Sequence, residues 1–166
     1  MKNNLILIGM PAVGKSTVGV LLAKRLGFTF VDTDLLIQRS EGCLLQELIG
    51  RLGTHGFCDL EAAHVCKLAA EQSIIATGGS VVYRPETMDH LECLGTLIWL
   101  TIDLDGLVSR LEKLDERGVV HLPGQSIEQL YEERIPLYQK YAQISVDTSR
   151  KTPDQVVQSV LEKLGK

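Results

Sequence analysis

The stretch GMPAVGKS at residues 9–16 reads G-x-x-x-x-G-K-S, set between an apolar run, LILI (5–8), and an amphipathic one that begins near Lys15. Gly9 and Gly14 let the backbone turn tightly, so that successive N–H groups point into one concavity. A helix starting near Lys15 adds its positive dipole end, which favours bound phosphate. The chemistry this pattern supports is the binding of a nucleoside triphosphate, with Lys15 against the β- and γ-phosphates and the Ser16 hydroxyl toward Mg²⁺. The expected nucleotide cradle runs through Gly9, Ala12, Val13, Gly14, Lys15, Ser16 and Thr17. Hydrolysis, transfer and signalling all begin from such a cradle; the guanine-reading N-K-x-D of a GTPase is absent from the chain.

A second group with chemical potential is VDTD (31–34). Two carboxylates spaced i, i+2 at the C-terminal end of a strand both overlook the crevice where α/β proteins bind ligands. One suits the Mg²⁺ shell, and the other can take a proton from an acceptor hydroxyl. Asp103, at the end of LIWLTID (97–103), is read instead as the N-cap of the helix that follows it. His55, Cys58, Asp59 and His64 invite a metal reading, but H-x₂-C-x₅-H matches no common structural zinc spacing. A nucleophilic Cys58 would need a base with an orienting partner, and the sequence supplies no such pair. Glu128, Glu132 and Glu133 read as a solvated helix face.

These groups need a scaffold, and the alternation of short apolar runs with longer amphipathic ones supplies it. Strands are expected at 5–8, 28–31, 73–77, 95–101 and 144–148, and helices at 13–27, 34–40, 44–52, 59–71, 103–111, 126–141 and 153–164. Thr152 and Pro153 form an N-cap and first-turn pair for the last helix. Strands separated by helix-length segments predict right-handed crossovers and a parallel sheet covered on both faces. At 166 residues, 45% of them hydrophobic, the chain suits one domain. Net charge −4 and the lack of a basic stripe give no reason to expect a nucleic-acid partner. The first apolar run is too short for a signal peptide, no stretch reaches the roughly 18 apolar residues of a spanning helix, and the four cysteines show no C-x-x-C pairing. The expectation is a cytoplasmic protein with reduced thiols and no membrane partner.

Taken together, the motifs resemble the shikimate kinase family, small P-loop kinases that phosphorylate a hydroxyl of a carboxylated cyclic polyol. The resemblance covers nearly the whole chain. GMPAVGKS is similar to the family's G-x-x-G-x-G-K-[ST], with Ala12 where a glycine is common, and Asp32, Thr33 and Asp34 match D-[ST]-D. Gly42, Glu47, Gly53, Phe57 and Glu61 follow the downstream pattern, Ala76 to Gly79 match the A-T-G-G-G turn, and Arg134, Pro136, Leu137 and Tyr138 match R-x-P-L-Y. The resemblance implies ATP and Mg²⁺ as cofactors, with Asp32 supporting the metal beside Ser16. It makes Lys15, Asp34 and the lid arginine Arg117 catalytic, and Arg110 and Pro153 the adenine sandwich. It places Asp34, Phe57, Cys58, Gly78, Gly79 and Arg134 around the acceptor.

The implied architecture is a single nucleoside-monophosphate-kinase-like P-loop domain, 1–166, with a parallel five-stranded sheet. Its core spans 1–33, 62–111 and 125–166, with a substrate-binding insertion at 34–61 and a lid at 112–124. The implied reaction converts shikimate to shikimate 3-phosphate in aromatic amino-acid biosynthesis, carried out by a monomer. Three departures bear on the acceptor. Cys58 stands where the family has a carboxylate-binding arginine, Ser80 where it has a third glycine, and Gly118 follows Arg117 where it has proline. Three explanations compete: Arg51, His55 or Arg84 fills the place of the arginine; the pocket takes a different small polyol, with Glu61 accepting a hydroxyl; or the protein is a non-catalytic nucleotide-binding regulator.

Overall fold

The structure, a computed structural model, describes residues 3–112 and 120–166. Arg117 and most of the expected lid, residues 113–119, lie outside the described residues. The sheet has five strands: β1 (Asn4–Ile8), β2 (Thr29–Asp32), β3 (Ser73–Ala76), β4 (Gly95–Thr101) and β5 (Ile144–Asp147), in the order β2-β3-β1-β4-β5. Every pairing is parallel, with Leu5 opposite Ile74 on one side of β1 and Thr96 on the other. All five residues of β1 and all four of β3 are buried. That is why these strands read as continuous apolar runs and not as alternating ones: a parallel sheet has no wet face.

Seven α-helices connect and cover the strands: α1 (Lys15–Leu26), α2 (Thr33–Glu41), α3 (Leu45–Val65), α4 (Pro85–Leu94), α5 (Leu104–Leu111), α6 (Ile127–Tyr141) and α7 (Pro153–Lys163). α1 packs on α7 and β3, while α4 and α6 pack on β4. Local chemistry sets their ends. Asp103 Oδ1 accepts from Gly106 N and starts α5, as expected, and Thr152 caps α7 through Gln155 N with Pro153 in the first turn. Ser126 and Gln129 close a capping box on α6, and Gly27 ends α1 in the left-handed conformation.

Three elements differ from the sequence expectation. The expected pair of helices at 44–52 and 59–71 meets at Gly53 within α3, where φ 68° and ψ 177° break the helical dihedrals, and the second ends at Val65, short of 71. A 3₁₀ turn at Gly79–Tyr83 and the helix α4 have no counterpart in the expectation. Pro85 in the first turn, Glu86 beside it and Met88 and Leu91 facing the core are the available signals. A large core cluster lies around the sheet, and a smaller one, made of Ile37, Leu48, Phe57, Cys58 and Val120, joins α2 and α3. Among the described residues no helix is long and apolar enough to cross a membrane.

Candidate active site

The loop between β1 and α1 sits at the C-terminal edge of the central strand. Gly9 adopts φ 143°, and a Cβ there would lie 2.6 Å from the Leu100 carbonyl oxygen, so only glycine lets the loop pass β4 this closely. Gly14, at φ 104°, caps α1 and turns its N–H groups into the concavity. Ala12 holds φ 63°, the left-handed conformation that a glycine takes without strain. Lys15 is 8% exposed, and its Nζ donates to the carbonyls of Gly9 and Met10 at 2.8 Å each. Burial lowers its pKa to about 8, with Asp34 the main opposing charge, so the ammonium persists at neutral pH.

Ser16 Oγ donates to Asp32 Oδ2 at 2.8 Å, while Asp32 Oδ1 accepts from the backbone N–H groups of Asp34 and Leu35 and caps α2. A hydroxyl at a helix start and a carboxylate held against it are hard oxygen donors of the kind Mg²⁺ takes. Asp34, in the first turn of α2, faces the crevice. Burial first, and then the neighbouring Asp32 charge, pushes its carboxyl up to about 6 against the pull of Lys15. It is ionised near neutrality and more basic than a free aspartate.

The acceptor side is built from α3, the 3₁₀ turn and α6. Glu61 is 1% exposed; its Oε2 accepts from Ser80 Oγ at 2.7 Å, and its Oε1 has no hydrogen-bond partner among the described residues. Gly78 N donates to Thr33 Oγ1 at 3.3 Å, tying the turn after β3 to the segment that carries both aspartates. Arg134 is fully buried. Its Nε donates to the Tyr83 hydroxyl at 3.0 Å and its Nη2 to the Val120 carbonyl, while Nη1 has no partner among the described residues. A Cβ on Gly79 would lie 2.8 Å from that Nη1 and 3.0 Å from Pro11 Cδ, so the guanidinium edge and the loop after β1 both approach this turn closely only because position 79 carries no side chain. The Tyr138 hydroxyl donates to the Gly79 carbonyl at 2.6 Å and fixes the turn.

The structure also places several other residues singled out in the sequence. Glu128, Glu132 and Glu133 are exposed, as expected, and the Glu133 carboxylate also accepts from the Tyr83 hydroxyl and, at 2.7 Å, from Gln125 Nε2. Cys58 is 3% exposed and packs with Phe57 in the smaller core cluster. Burial, reinforced by the Glu61 charge, pushes its thiol up to about 11, so it is neither thiolate nor cation. The Arg84 guanidinium pairs with Asp59 at 2.7 Å. Arg51 and His55 are exposed. Beside Cys58 lies a cavity of about 190 Å³ whose walls include His55, Tyr83, Arg84 and Glu133.

On the nucleotide side, Arg110 Nη1 donates to the Val13 carbonyl at 2.8 Å and Nη2 to the Thr148 carbonyl at 2.9 Å. It bolts the phosphate loop to the β5–α7 connection, at whose far end Pro153 is exposed. Lys15, Asp34, Gly78, Gly79 and Arg134 therefore share one crevice, while Phe57 and Cys58 form its packed wall. Ser80, Tyr83 and Tyr138 add hydrogen bonds to this crevice that the sequence expectation does not include. Tyr138 is legible within R-x-P-L-Y, whereas the contacts of Ser80 and Tyr83 join segments that no local pattern relates.

Comparison with known proteins agrees with this geometry. The family model for shikimate kinase matches residues 11–165. The shikimate kinase of Thermodesulfovibrio yellowstonii is 34% identical over 162 residues, covering 96% of this chain and 93% of its own. That of Persephonella marina is 35% identical over 162 residues, covering 97% and 98%. Among solved structures, a shikimate kinase from Acinetobacter baumannii in complex with shikimate superposes with TM-score 0.89 at 26% identity, covering 98% of this chain and 92% of that one. The Aquifex aeolicus shikimate kinase gives TM-score 0.80 at 29% identity, covering 98% and 96%.

Proposed function

This chain belongs to the shikimate kinase family, and on that premise we propose that it transfers the γ-phosphoryl group of ATP to a hydroxyl of shikimate, giving shikimate 3-phosphate for aromatic amino-acid biosynthesis. The observation that carries the reading is the buried Arg134, whose Nη1, without a partner among the described residues, lies against Gly79 in the crevice that also holds Lys15 and Asp34. A planar guanidinium with a free donor matches a carboxylate on the acceptor. Phosphoryl transfer asks the protein mainly for positioning and charge stabilisation. Lys15 leaves its own loop carbonyls for the β- and γ-phosphate oxygens, and the backbone of residues 9–17 wraps the chain of phosphates. Asp34 orients the acceptor hydroxyl and takes its proton as the oxygen bonds to the γ-phosphorus and the bond to the ADP oxygen breaks.

Ser16 and Asp32 would hold Mg²⁺, which when bound neutralises charge on the phosphates. Arg110 positions the rim of the nucleotide site, with Pro153 across the loop. Segment 34–61 serves as the acceptor wall of a single domain, and the protein acts as a cytoplasmic monomer. The test is a coupled ADP-release assay with and without shikimate. Saturable shikimate-dependent turnover is expected. Turnover only with another small polyol, or ATP binding without turnover, would overturn the assignment.

A further inference from the structure

Among the described residues, Glu61 is the one buried carboxylate in the crevice to which the reaction above gives no task. It projects from α3 and is 1% exposed. Ser80, whose hydroxyl a glycine would lack, pins Oε2 at 2.7 Å. Oε1 has no partner among the described residues, and a buried acceptor left in that state carries the full cost of its desolvation. Its direction is defined by Gly78: a Cβ there would collide with Glu61 Oε1 and lie 2.9 Å from Asp34 Oδ1. Both oxygens therefore pack close against one face of Gly78, whose N–H is tied to Thr33. One turn back along α3, the neutral Cys58 thiol offers Glu61 no charge. Above its raised pKa of about 7 the carboxylate only accepts hydrogen bonds, and there the group that completes Oε1 is a donor such as a hydroxyl.

We propose that Glu61 is a specificity-determining residue of the acceptor pocket: with Oε2 held by Ser80, its Oε1 accepts a hydrogen bond from the acceptor hydroxyl next to the one that is phosphorylated. Asp34 and Glu61 together then read a vicinal diol, while Arg134 reads the carboxylate. This rests on the kinase reading above and adds a recognition element at the same crevice.

The test compares three acceptors: shikimate, an analogue lacking the hydroxyl next to the phosphorylated one, and an analogue lacking the remaining, remote hydroxyl. Glu61→Gln should raise KM about tenfold for shikimate and for the remote-deoxy analogue, the difference between a charge-assisted and a neutral hydrogen bond. For the vicinal-deoxy analogue, variant and wild type should share one KM, and kcat should stay within about twofold throughout. Ser80→Ala, which keeps the carboxylate but frees its orientation, should show the same selectivity at roughly a threefold loss. Should Glu61→Gln fail to fold, seen as loss of the ATP-induced rise in Tm, the same criterion applies to Ser80→Ala alone. An equal KM increase on all three acceptors, or none on shikimate, overturns the proposal while leaving the kinase assignment in place. A wild-type protein that turns over no shikimate removes both.

Discussion

At Glu61 a side chain is held against its own preference, and that has a measurable cost. Burial first, relieved by the Ser80 hydrogen bond and then raised again by the Asp34 charge, pushes the carboxyl up to about 7 from the ordinary 4.5. Between those two values the folded protein keeps a proton that the unfolded chain has released. Stability of the ligand-free protein therefore falls as pH rises from about 4.5 to about 7, and the loss continues above that as the folded state ionises only to the point where both states are charged, where it levels off. Fully expressed, the loss is about 3 kcal/mol. Glu61→Gln removes it. Urea melts should give variant and wild type similar stability near pH 4.5, with the variant more stable by up to about 3 kcal/mol at pH 8. A difference that stays constant between pH 5 and pH 8 would show that Glu61 titrates as an ordinary surface acid.

Among the elements, α3 is where local sequence and tertiary demand diverge. It carries Phe57 and Cys58 into the smaller core cluster and Glu61 into the crevice, and the kink at Gly53 sets the course of that half of the helix. The backbone there, φ 68° and ψ 177°, belongs to a region that is essentially glycine-only. Gly53→Ala adds no clash, since nothing lies within 4 Å of the position its Cβ would take, so its cost is purely conformational. Destabilisation of about 1–3 kcal/mol is expected, lowering Tm by roughly 5 °C for a chain of this size. Straightening α3 displaces the acceptor wall and not the phosphate loop. KM for the acceptor should rise, and KM for ATP should stay as in wild type; an equal rise in both would mean that the kink has no directional role.

For the molecule as a whole, legibility in the sequence divides along the crevice. The phosphate-loop half can be read directly, because G-x-x-x-x-G-K-S, the strand before it and the helix after it are contiguous, and the same residues create both the turn and the chemistry. The parallel sheet is equally legible, because strands buried on both faces are apolar along most of their length. The acceptor half is not, since Ser80 with Glu61, Tyr83 with Arg134 and Gly79 with Pro11 meet across segments that share no period. Cys58 marks the altered place in the sequence, but the pairing of Arg84 with Asp59 beside it emerges only from packing. If the two halves are this distinct, they should also separate energetically. ATP with Mg²⁺ at about 100 times its Kd should stabilise the fold by about 2.7 kcal/mol, a Tm rise of roughly 5–10 °C. Glu61→Gln and Ser80→Ala should keep that rise in full, because their hydrogen bond ties α3 to the 3₁₀ turn and not to the phosphate loop. Lys15→Met should lose most of it, together with at least about 100-fold in kcat, since the buried ammonium is the cradle's mobile charge. Thermal melts of the four proteins with and without nucleotide decide the matter. A reduced shift in Ser80→Ala would mean that the acceptor carboxylate is coupled to the nucleotide site, and that the crevice works as one unit.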